Sequence, residues 1–489
     1  MTVPRDRIRQ LIDHPVRPNG DFVLYWMTSA RRATSNFALE RAVEWARELG
    51  RPIVILEALR LDYPWASARI HTFILEGMAA NARAFDGLAT YYPYVESRPG
   101  AGKGLVRALA SRASVMVTDD FPAFFLPRAL EAATHQVEVC LEAVDGNGIL
   151  PLRASDRAYP TAYAFRRFVH AYIAERGIAF PERNPLAHSP VSHLHSLPLE
   201  IVQRWKPTDM ADLLDPSGLV SKLDIDQDVT ASGLHGGSGV AHDLVEGFLN
   251  KGLDVYARDR NHPDADASSG FSPYLHFGHL ASAEVLRRIV DAELWTPHDV
   301  EVAARGARTG WGGKGGAAAF LDQLITWREL GYNMCAHRSD YAAYDSLPDW
   351  ARATLAEHAL DVRPYLYELN DLDGTATHDT LWNAAQRQLR DTGTLHNYMR
   401  MLWGKKILEW SASPEEALAT MIELNNRYAL DGRDPNSYSG IFWTLGRYDR
   451  AWGPERSIFG KIRYMSSTNT QRKLKVTRYL ERFGPSAPR

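Results

Sequence analysis

FVLYWMTSARRATSNFALERAVEWARELGRPIVILEAL, residues 22–59, sets the architecture of the first part of the chain. An apolar run from Phe22 leads into a polar turn, then into an amphipathic stretch from Asn36, then into a second apolar run from Pro52. Apolar runs bounded by turn residues read as buried strands. The pattern repeats outward: SVMVTDD from Ser114 and VEVCLEAV from Val137 read as further strands, and Ile70 to Phe85 as a further helix. Such alternation implies an α/β fold with a doubly wound parallel sheet. The turn after the first strand, MTSARRATSN, has no GxGxxG, so the nicotinamide-type dinucleotide grip is absent. GAGKG at Gly100–Gly104 lacks both the glycine spacing and the hydroxyl residue of a P-loop, and reads as a plain loop leading into a helix.

The texture changes further on. Prolines, histidines, serines and the ASGLHGGSG run from Ala231 mark 181–239 as a connection between domains. Beyond it, strand-like patterns nearly vanish. DWARATLAEHAL from Asp349, SPEEALATMIELNNRYAL from Ser413 and RKLKVTRYLERF from Arg472 read as helices, and Ser413-Pro414-Glu415-Glu416 is a strong helix start. The glycine-rich ARGARTGWGGKGGAA from Ala304 reads as a mobile surface loop. The division expected is an α/β domain over 1–180, a linker over 181–239 and an all-α domain over 240–489.

The chain has 489 residues, 45% hydrophobic and 24% charged, an ordinary composition for a soluble protein of two or three domains. No apolar run approaches the roughly 20 residues that span a bilayer. The first residues, MTVPRDRIRQLIDHPVRP, lack a signal-peptide core, so a cytoplasmic protein with no membrane partner is expected. Cys140 and Cys335 cannot build an iron–sulfur, zinc or disulfide framework, and the 17 histidines show no ligand spacing, so no metal is expected. The net charge of −3 says little, but Arg456, Lys461, Arg463, Arg472, Lys473, Lys475, Arg478 and Arg482 stand against Glu481 near the end. That imbalance suits either a polyanion or a solvated terminal helix.

Nine of the 13 tryptophans follow residue 290. Most tryptophans in a helical domain are core. Trp403 and Trp410, however, are seven residues apart in RMLWGKKILEW, on one helix face about 10 Å apart along the axis. With Trp382 they form the kind of indole chain that electron transfer to an excited cofactor needs.

GFSPYLHFGHLA from Gly270, THDTLWNAAQRQL from Thr377, LHNYMRMLWGKKILEW from Leu395, LNNRYALDGRDPN from Leu424 and FGKIRYMS from Phe459 closely resemble, in order, the class II cyclobutane-pyrimidine-dimer DNA photolyases of the photolyase/cryptochrome superfamily. The first half is similar more loosely, in YWMTSARRATSNFAL. The resemblance implies a U-shaped FAD inside the helical domain. Its phosphates would lie near Tyr256 and the run Ser268, Ser269, Gly270, Phe271 and Ser272, where hydroxyls and helix-start N–H groups suit an anion. His378, Trp382, Asn383, Asn397 and Arg400 would line the cofactor with Asp431 and Asp434, and an Arg400–Asp431 pair would hold fixed charge beside it. Taken by itself, that pair reads equally as an interhelical salt bridge. Asn425 matches the asparagine facing flavin N5, where a neutral amide can reorient as protonation changes. The relay implied runs from Trp403 to Trp382 to Trp410 at the surface and serves photoreduction of oxidised FAD, not repair. A tyrosine common beside the first tryptophan is Leu402 here.

The same resemblance places the dimer against Trp327 and Trp443, with Met401 as an apolar contact, since aromatic faces stack on extruded bases. Arg260 and Asn261 match residues that fill the gap left in the duplex. One departure stands out in DQLITWREL: Gln323 takes the place of the glutamate four residues before the pocket tryptophan. A glutamine donates hydrogen bonds but supplies no proton. Three readings stay open: repair with lower yield, Asp322 as substitute on a rotated helix, or photochemistry other than dimer repair.

The function implied is light-driven repair of cyclobutane pyrimidine dimers by an electron from reduced FAD, acting as a monomer on UV-damaged double-stranded DNA. A second, antenna chromophore of unspecified identity is left open. The alternative is a cryptochrome-like blue-light photoreceptor. The chain stops soon after its last helix, at GPSAPR, without a long signalling tail, which favours the enzyme.

Overall fold

In the computed structural model, strand β2 (Phe22–Met27) is the first strand of a parallel set at the centre of a six-stranded sheet. The structure describes residues 2–187, 194, 196–265, 267–292, 294–301 and 306–485. Two expectations fall partly outside that range: Ala304 and Arg305 of the glycine-rich insertion, and GPSAPR from Ser486 on. The chain divides into two compact units: Met1–Ser155 with Ile178–Glu246 and Phe271–Arg288, and Asp156–Gly177 with Gly247–Gly270 and Ile289–Arg489.

In the first unit the strands are β1 (Ile8–Ile12), β2, β3 (Ile53–Leu59), β4 (Thr90–Val95), β5 (Ala113–Asp119) and β6 (Leu141–Val144), in the order β1-β6-β5-β2-β3-β4. All neighbours are parallel except β1, which runs antiparallel to β6. Helices α1 (Phe37–Leu49), α2 (Ala68–Phe85), α3 (Leu105–Arg112) and α4 (Leu126–Thr134) complete the alternation. Odd and even positions of the central strands serve opposite cores. Val23, Tyr25, Ile53, Ile55, Val115 and Val117 pack with Phe37 and Leu39 of α1, whereas Phe22, Leu24, Val54, Leu56 and Met116 pack with Leu105 and Leu109 of α3. Burial on both faces is why these strands read as unbroken apolar runs.

The doubly wound sheet expected from the sequence is therefore present, with two strands added. β1 (IRQLI) and β4 (TYYPYV) are edge strands, only partly buried, and Pro93 can sit in β4 because an edge residue needs no second ladder bond.

The turn after β2 is held without glycines. Asp119, at the end of β5, accepts the backbone N–H groups of Thr28, Ser29 and Ala30 on one carboxylate oxygen at 2.7–3.0 Å. Asn36 caps α1 by accepting from Ala38 and Leu39. The N–H groups that would cradle a pyrophosphate are thus already used by a carboxylate. At GAGKG, Glu96 likewise accepts the Gly102 N–H at 2.9 Å, leaving an acid where a P-loop would hold phosphate.

The described residues of the second unit form helices and connecting loops with no named strand, and two sequence expectations fail there. The described part of the glycine-rich insertion is not simply a surface loop: Gly306, Gly310 and Trp311 are buried, while Ala307, Arg308, Gly313, Lys314 and Gly315 are exposed. Trp311 is fully buried, accepts the Trp295 indole N–H on its carbonyl at 2.7 Å and donates its own to Asp322 at 3.2 Å. The glycines serve close approach: a Cβ on Gly316 would stand 2.0 Å from the Leu253 carbonyl oxygen. RKLKVTRYLERF is also not one helix. Ser467–Lys473 and Thr477–Phe483 are separated by an extended Leu474, with Leu474 and Val476 turned into the core. Pro414–Tyr428 forms as read, with Ser413 capping Glu416.

Replacing Trp311 by alanine removes a fully buried indole, and the expected loss is about 3–5 kcal/mol of stability in this unit. Denaturant unfolding followed by circular dichroism of Trp311→Ala against the parent checks it. A solvent-exposed loop would give almost no change.

Candidate functional site

Helix Asn397–Trp410 crosses the middle of the second unit and brings most of the candidate residues together. Gly404 lets it approach closely: a Cβ there would stand 2.6 Å from Thr444 Cγ2 and 3.0 Å from Met421 Sδ. Its neighbours are Thr380–Thr392, Pro414–Tyr428 and Pro435–Thr444. The first is capped by Asp379, which accepts from Leu381 and Trp382, and closes on Gly393 in the left-handed region.

Arg400 points into a buried polar cluster. Its guanidinium grips Asp431 with two bonds of 2.9 and 3.1 Å and donates to Asn425 Oδ1 at 2.9 Å and Ser437 Oγ at 3.3 Å. The Asn425 amide donates in turn to Ser437 Oγ at 2.9 Å and to Asn426 at 3.2 Å. A fixed cation, a carboxylate and an amide bonded at both ends are thus held side by side.

The indoles lie on the same helices. Trp382 donates to the Trp403 carbonyl at 3.0 Å, and the Trp382 and Trp410 rings meet edge-on at 5.5 Å. Trp403 donates to Gln386 Oε1 at 2.8 Å. Trp410 is not at the surface: it is 1% exposed, covered by Tyr367 and His378. Leu402 is fully buried. Gln386 was missed in the sequence, although it sits one turn after Trp382. Its Nε2 is buried with no hydrogen-bond partner among the described residues. An orphaned donor beside Trp403, together with the Arg400 cluster, fits a large polar-edged cofactor ring.

Other candidates are placed differently. Asp434 caps Pro435–Thr444 through Asn436 and accepts the Tyr332 hydroxyl at 2.9 Å. Asn383 ties down Thr377 with bonds from both ends of its amide. His378 and Asn397 are exposed. Tyr256 is buried edge-on to Phe248 and Phe320, and burial pushes its phenol up. In the run Ser268–Ser272, Ser268, Gly270 and Ser272 are exposed, Ser269 is half-buried, and Phe271 is buried, so Phe271 offers only backbone. The boundary between the two units falls after Gly270.

Gln323 and Trp327 are half-exposed on a π-helical turn, Asp322–Trp327, whose other residues are buried. Such turns interrupt α-helices mostly at functional positions. Asp322 points away, locked to Arg166 at 2.6 and 3.2 Å and to the Trp311 indole. The substitution of Asp322 for the missing glutamate is thereby overturned: turning it outward would leave Arg166 buried and uncompensated, at a cost of about 3–5 kcal/mol. Arg260, Asn261, Met401 and Trp443 are half-exposed. Arg260 lies 5.6 Å over the Tyr256 ring.

Trp443 is flanked by Lys405 at 5.1 Å and Arg463 at 5.4 Å, and Arg463 also covers Trp452 at 4.0 Å. This ladder of cations and rings was not legible in the sequence, because its members come from three separate segments. Among the described residues no group of three or more histidines, cysteines or acids is placed to hold a metal, and no helix is long and apolar enough to cross a membrane.

No family model matches the sequence. Individual relatives do. A deoxyribodipyrimidine photo-lyase of Methanothermobacter thermautotrophicus is 32% identical over 482 residues, 98% of this chain and 98% of that protein. This chain belongs to the deoxyribodipyrimidine photo-lyase family. Photo-lyases of Oryza sativa (32% identical, 97% of this chain and 89% of theirs) and Potorous tridactylus (31%, 95% and 81%) match over similar spans. A crystal structure of a bacterial class III photolyase from Agrobacterium tumefaciens shares the fold, with a TM-score of 0.64 at 15% identity over 95% of this chain and 86% of that one. Within this photo-lyase fold, Arg400, Trp403 and Trp410 are carried by one buried helix, with the half-exposed Met401 on it as well.

Lys405 lies behind Trp443, fully buried, with Nζ donating to the Thr444 carbonyl. Burial, offset only in part by Asp449, draws its amine from 10.5 down to about 7. Below about pH 7 the amine is charged in both folded and unfolded chains; between 7 and 10.5 only the unfolded chain keeps the proton. Stability from this group therefore rises with pH in that window, by up to about 1.4 kcal/mol per pH unit. Unfolding midpoints measured at several pH values above 7 are expected to show that rise, and Lys405→Met to remove it and gain stability near neutrality.

Proposed function

We propose that this chain is a class II-type photolyase that repairs cyclobutane pyrimidine dimers in UV-damaged double-stranded DNA. The observation that carries the reading is the buried Arg400–Asp431–Asn425 cluster, on the same helices as three buried indoles, in a chain related over 98% of its length to a named photo-lyase. FAD, when bound and reduced, supplies a light-excited electron to the dimer.

The protein's own residues would do the following. Arg400 and Asp431 hold fixed charge against the cofactor, and Asn425 stands beside them with its amide oriented by Arg400 and Ser437. Gln386 keeps the Trp403 indole oriented and turns its unpartnered N–H toward the cofactor. Asp434 and Asn383 act through the backbone they fasten, while Tyr256, Ser268–Ser272 and Asn397 are assigned to the cofactor by resemblance alone; His378, exposed and packed on the outer side of Trp410, does not take the cofactor role the resemblance gave it. Trp403, Trp382 and Trp410 carry electrons inward when the cofactor is oxidised. Trp327, Trp443 and Met401 receive the extruded bases, with Gln323 donating a hydrogen bond to them, and Arg260 and Asn261 enter the gap in the duplex. Arg463 over Trp443 and Trp452, and Arg450 over Trp452, add charge of the sign a phosphate backbone requires. In the first unit the half-buried rings of Tyr63, Trp65, Phe124 and Phe125 follow β3 and β5, near the switch point of the sheet, and offer stacking faces for a flat second chromophore.

A second reading, a blue-light photoreceptor without repair, is favoured by one observation: Gln323 stands where an acid would assist the dimer, and Asp322 is committed elsewhere.

Illumination of the photoreduced protein with a dimer-containing oligonucleotide is expected to restore thymine absorbance, and Gln323→Glu to raise the yield. No light-dependent recovery, with flavin tightly held, would favour the photoreceptor. Asp431→Asn removes a charged partner from the cluster, and the expected weakening of flavin retention is about 1.5–3 kcal/mol, read by dialysis and visible absorbance.

A further inference from the structure

The aromatic contacts do not end at Trp410. Its ring meets Tyr367 at 5.4 Å and His378 at 5.3 Å, both near edge-on. Tyr367 Oη accepts the backbone N–H of His378 at 3.0 Å and lies 2.7 Å from Nδ1 of the same residue. With the imidazole proton on Nε2, Nδ1 accepts the phenolic O–H while the phenol oxygen accepts the backbone N–H. The imidazole stacks on Tyr365 at 3.8 Å, and Tyr365 is 49% exposed. A continuous path of rings thus runs from the buried indoles to solvent. At the inner end, Leu402 leaves no phenol beside Trp403.

We infer that Tyr367 is the terminal donor of the relay and His378 the acceptor of its proton. This rests on the proposed photoreduction through Trp403, Trp382 and Trp410. Once Trp410 has lost an electron inward, one electron passes from Tyr367 to the Trp410 radical cation. The phenolic O–H bond breaks and its proton moves to His378 Nδ1. The products are a neutral indole, a neutral tyrosyl radical and an imidazolium, with charge and atoms conserved. A phenol gives up an electron readily only if its proton has a base within hydrogen-bond reach, and the 2.7 Å contact supplies one. The return electron then has to wait for the proton, which keeps the charges apart. A soluble thiol that reaches the half-exposed Tyr367 reduces the tyrosyl radical by donating one hydrogen atom to its oxygen, leaving a thiyl radical, and the imidazolium returns its proton to solvent.

Tyr367 also braces its loop, since its backbone N–H donates to the Trp410 carbonyl at 3.2 Å. A purely structural role would leave no radical signature, so the test reads one. Protein carrying oxidised flavin is illuminated without thiol, freeze-trapped and examined by electron paramagnetic resonance, with and without ring-deuterated tyrosine. The expected result is a tyrosyl signal that narrows on deuteration, vanishes in Tyr367→Phe to leave a tryptophan radical, and persists in Tyr365→Phe. In transient absorption, His378→Phe is expected to slow tyrosine oxidation by about 10²-fold, and deuterated solvent to slow it in the parent. A parent radical confined to tryptophan, or a tyrosyl signal that survives Tyr367→Phe, overturns the inference. Trp403→Phe separates the two levels: if light-driven flavin bleaching persists in it, the relay itself fails, whereas blocked bleaching with no tyrosyl signal in the parent removes only the Tyr367 step.

Discussion

Beyond its exposed first residue, helix Asn397–Trp410 is buried on almost every side, and most of its polar groups cannot rely on water. A buried donor without a partner costs about 1–3 kcal/mol, so each must find one inside the fold. Those obligatory partners generate the site. Arg400 draws Asp431, Asn425 and Ser437 into one cluster; Trp403 fixes Gln386; Lys405 takes the Thr444 carbonyl; Lys406 pairs with Glu409. Gly404 makes the arrangement geometrically possible by letting the neighbouring helix approach.

The same economy of polar groups explains what the first unit does not do. Its sheet has the topology that commonly holds nucleotides, yet the N–H groups after β2 are consumed by Asp119 and the GAGKG loop is closed by Glu96. Fold and ligand are separable for this reason: the sheet provides a crevice, and a few side chains decide whether a phosphate can enter it. In the second unit the π-helical turn does a comparable job. It lets Asp322 face inward to Arg166 while Gln323 and Trp327 stay at the accessible side.

Where strands are buried on both faces, as in β2, β3 and β5, the apolar run announced them. The edge strands β1 and β4 gave no such run: β1 is only partly buried, and β4 is built of tyrosines, a threonine and a proline, with one aliphatic residue. The glycine-rich insertion misled for the opposite reason. Glycine signals freedom in a sequence, but here it admits backbone within 2.0 Å of a would-be Cβ, and Trp311 pins the segment. Trp403 and Trp410 were placed on one helix face by their spacing alone, whereas the burial of Trp410 depends on Tyr367 and His378, which reach it from preceding segments.

By itself the sequence determined the α/β and helical halves, the helix starts and the motifs that mark the family, since these follow from local periodicity, capping and residue order. Only the tertiary structure decided that Asp322 is spoken for, that Lys405 sits uncharged-prone behind Trp443, and that a tyrosine–histidine pair continues the indole path. Each of these depends on which distant side chain fills a given space, and packing at that range leaves no periodic trace along the chain.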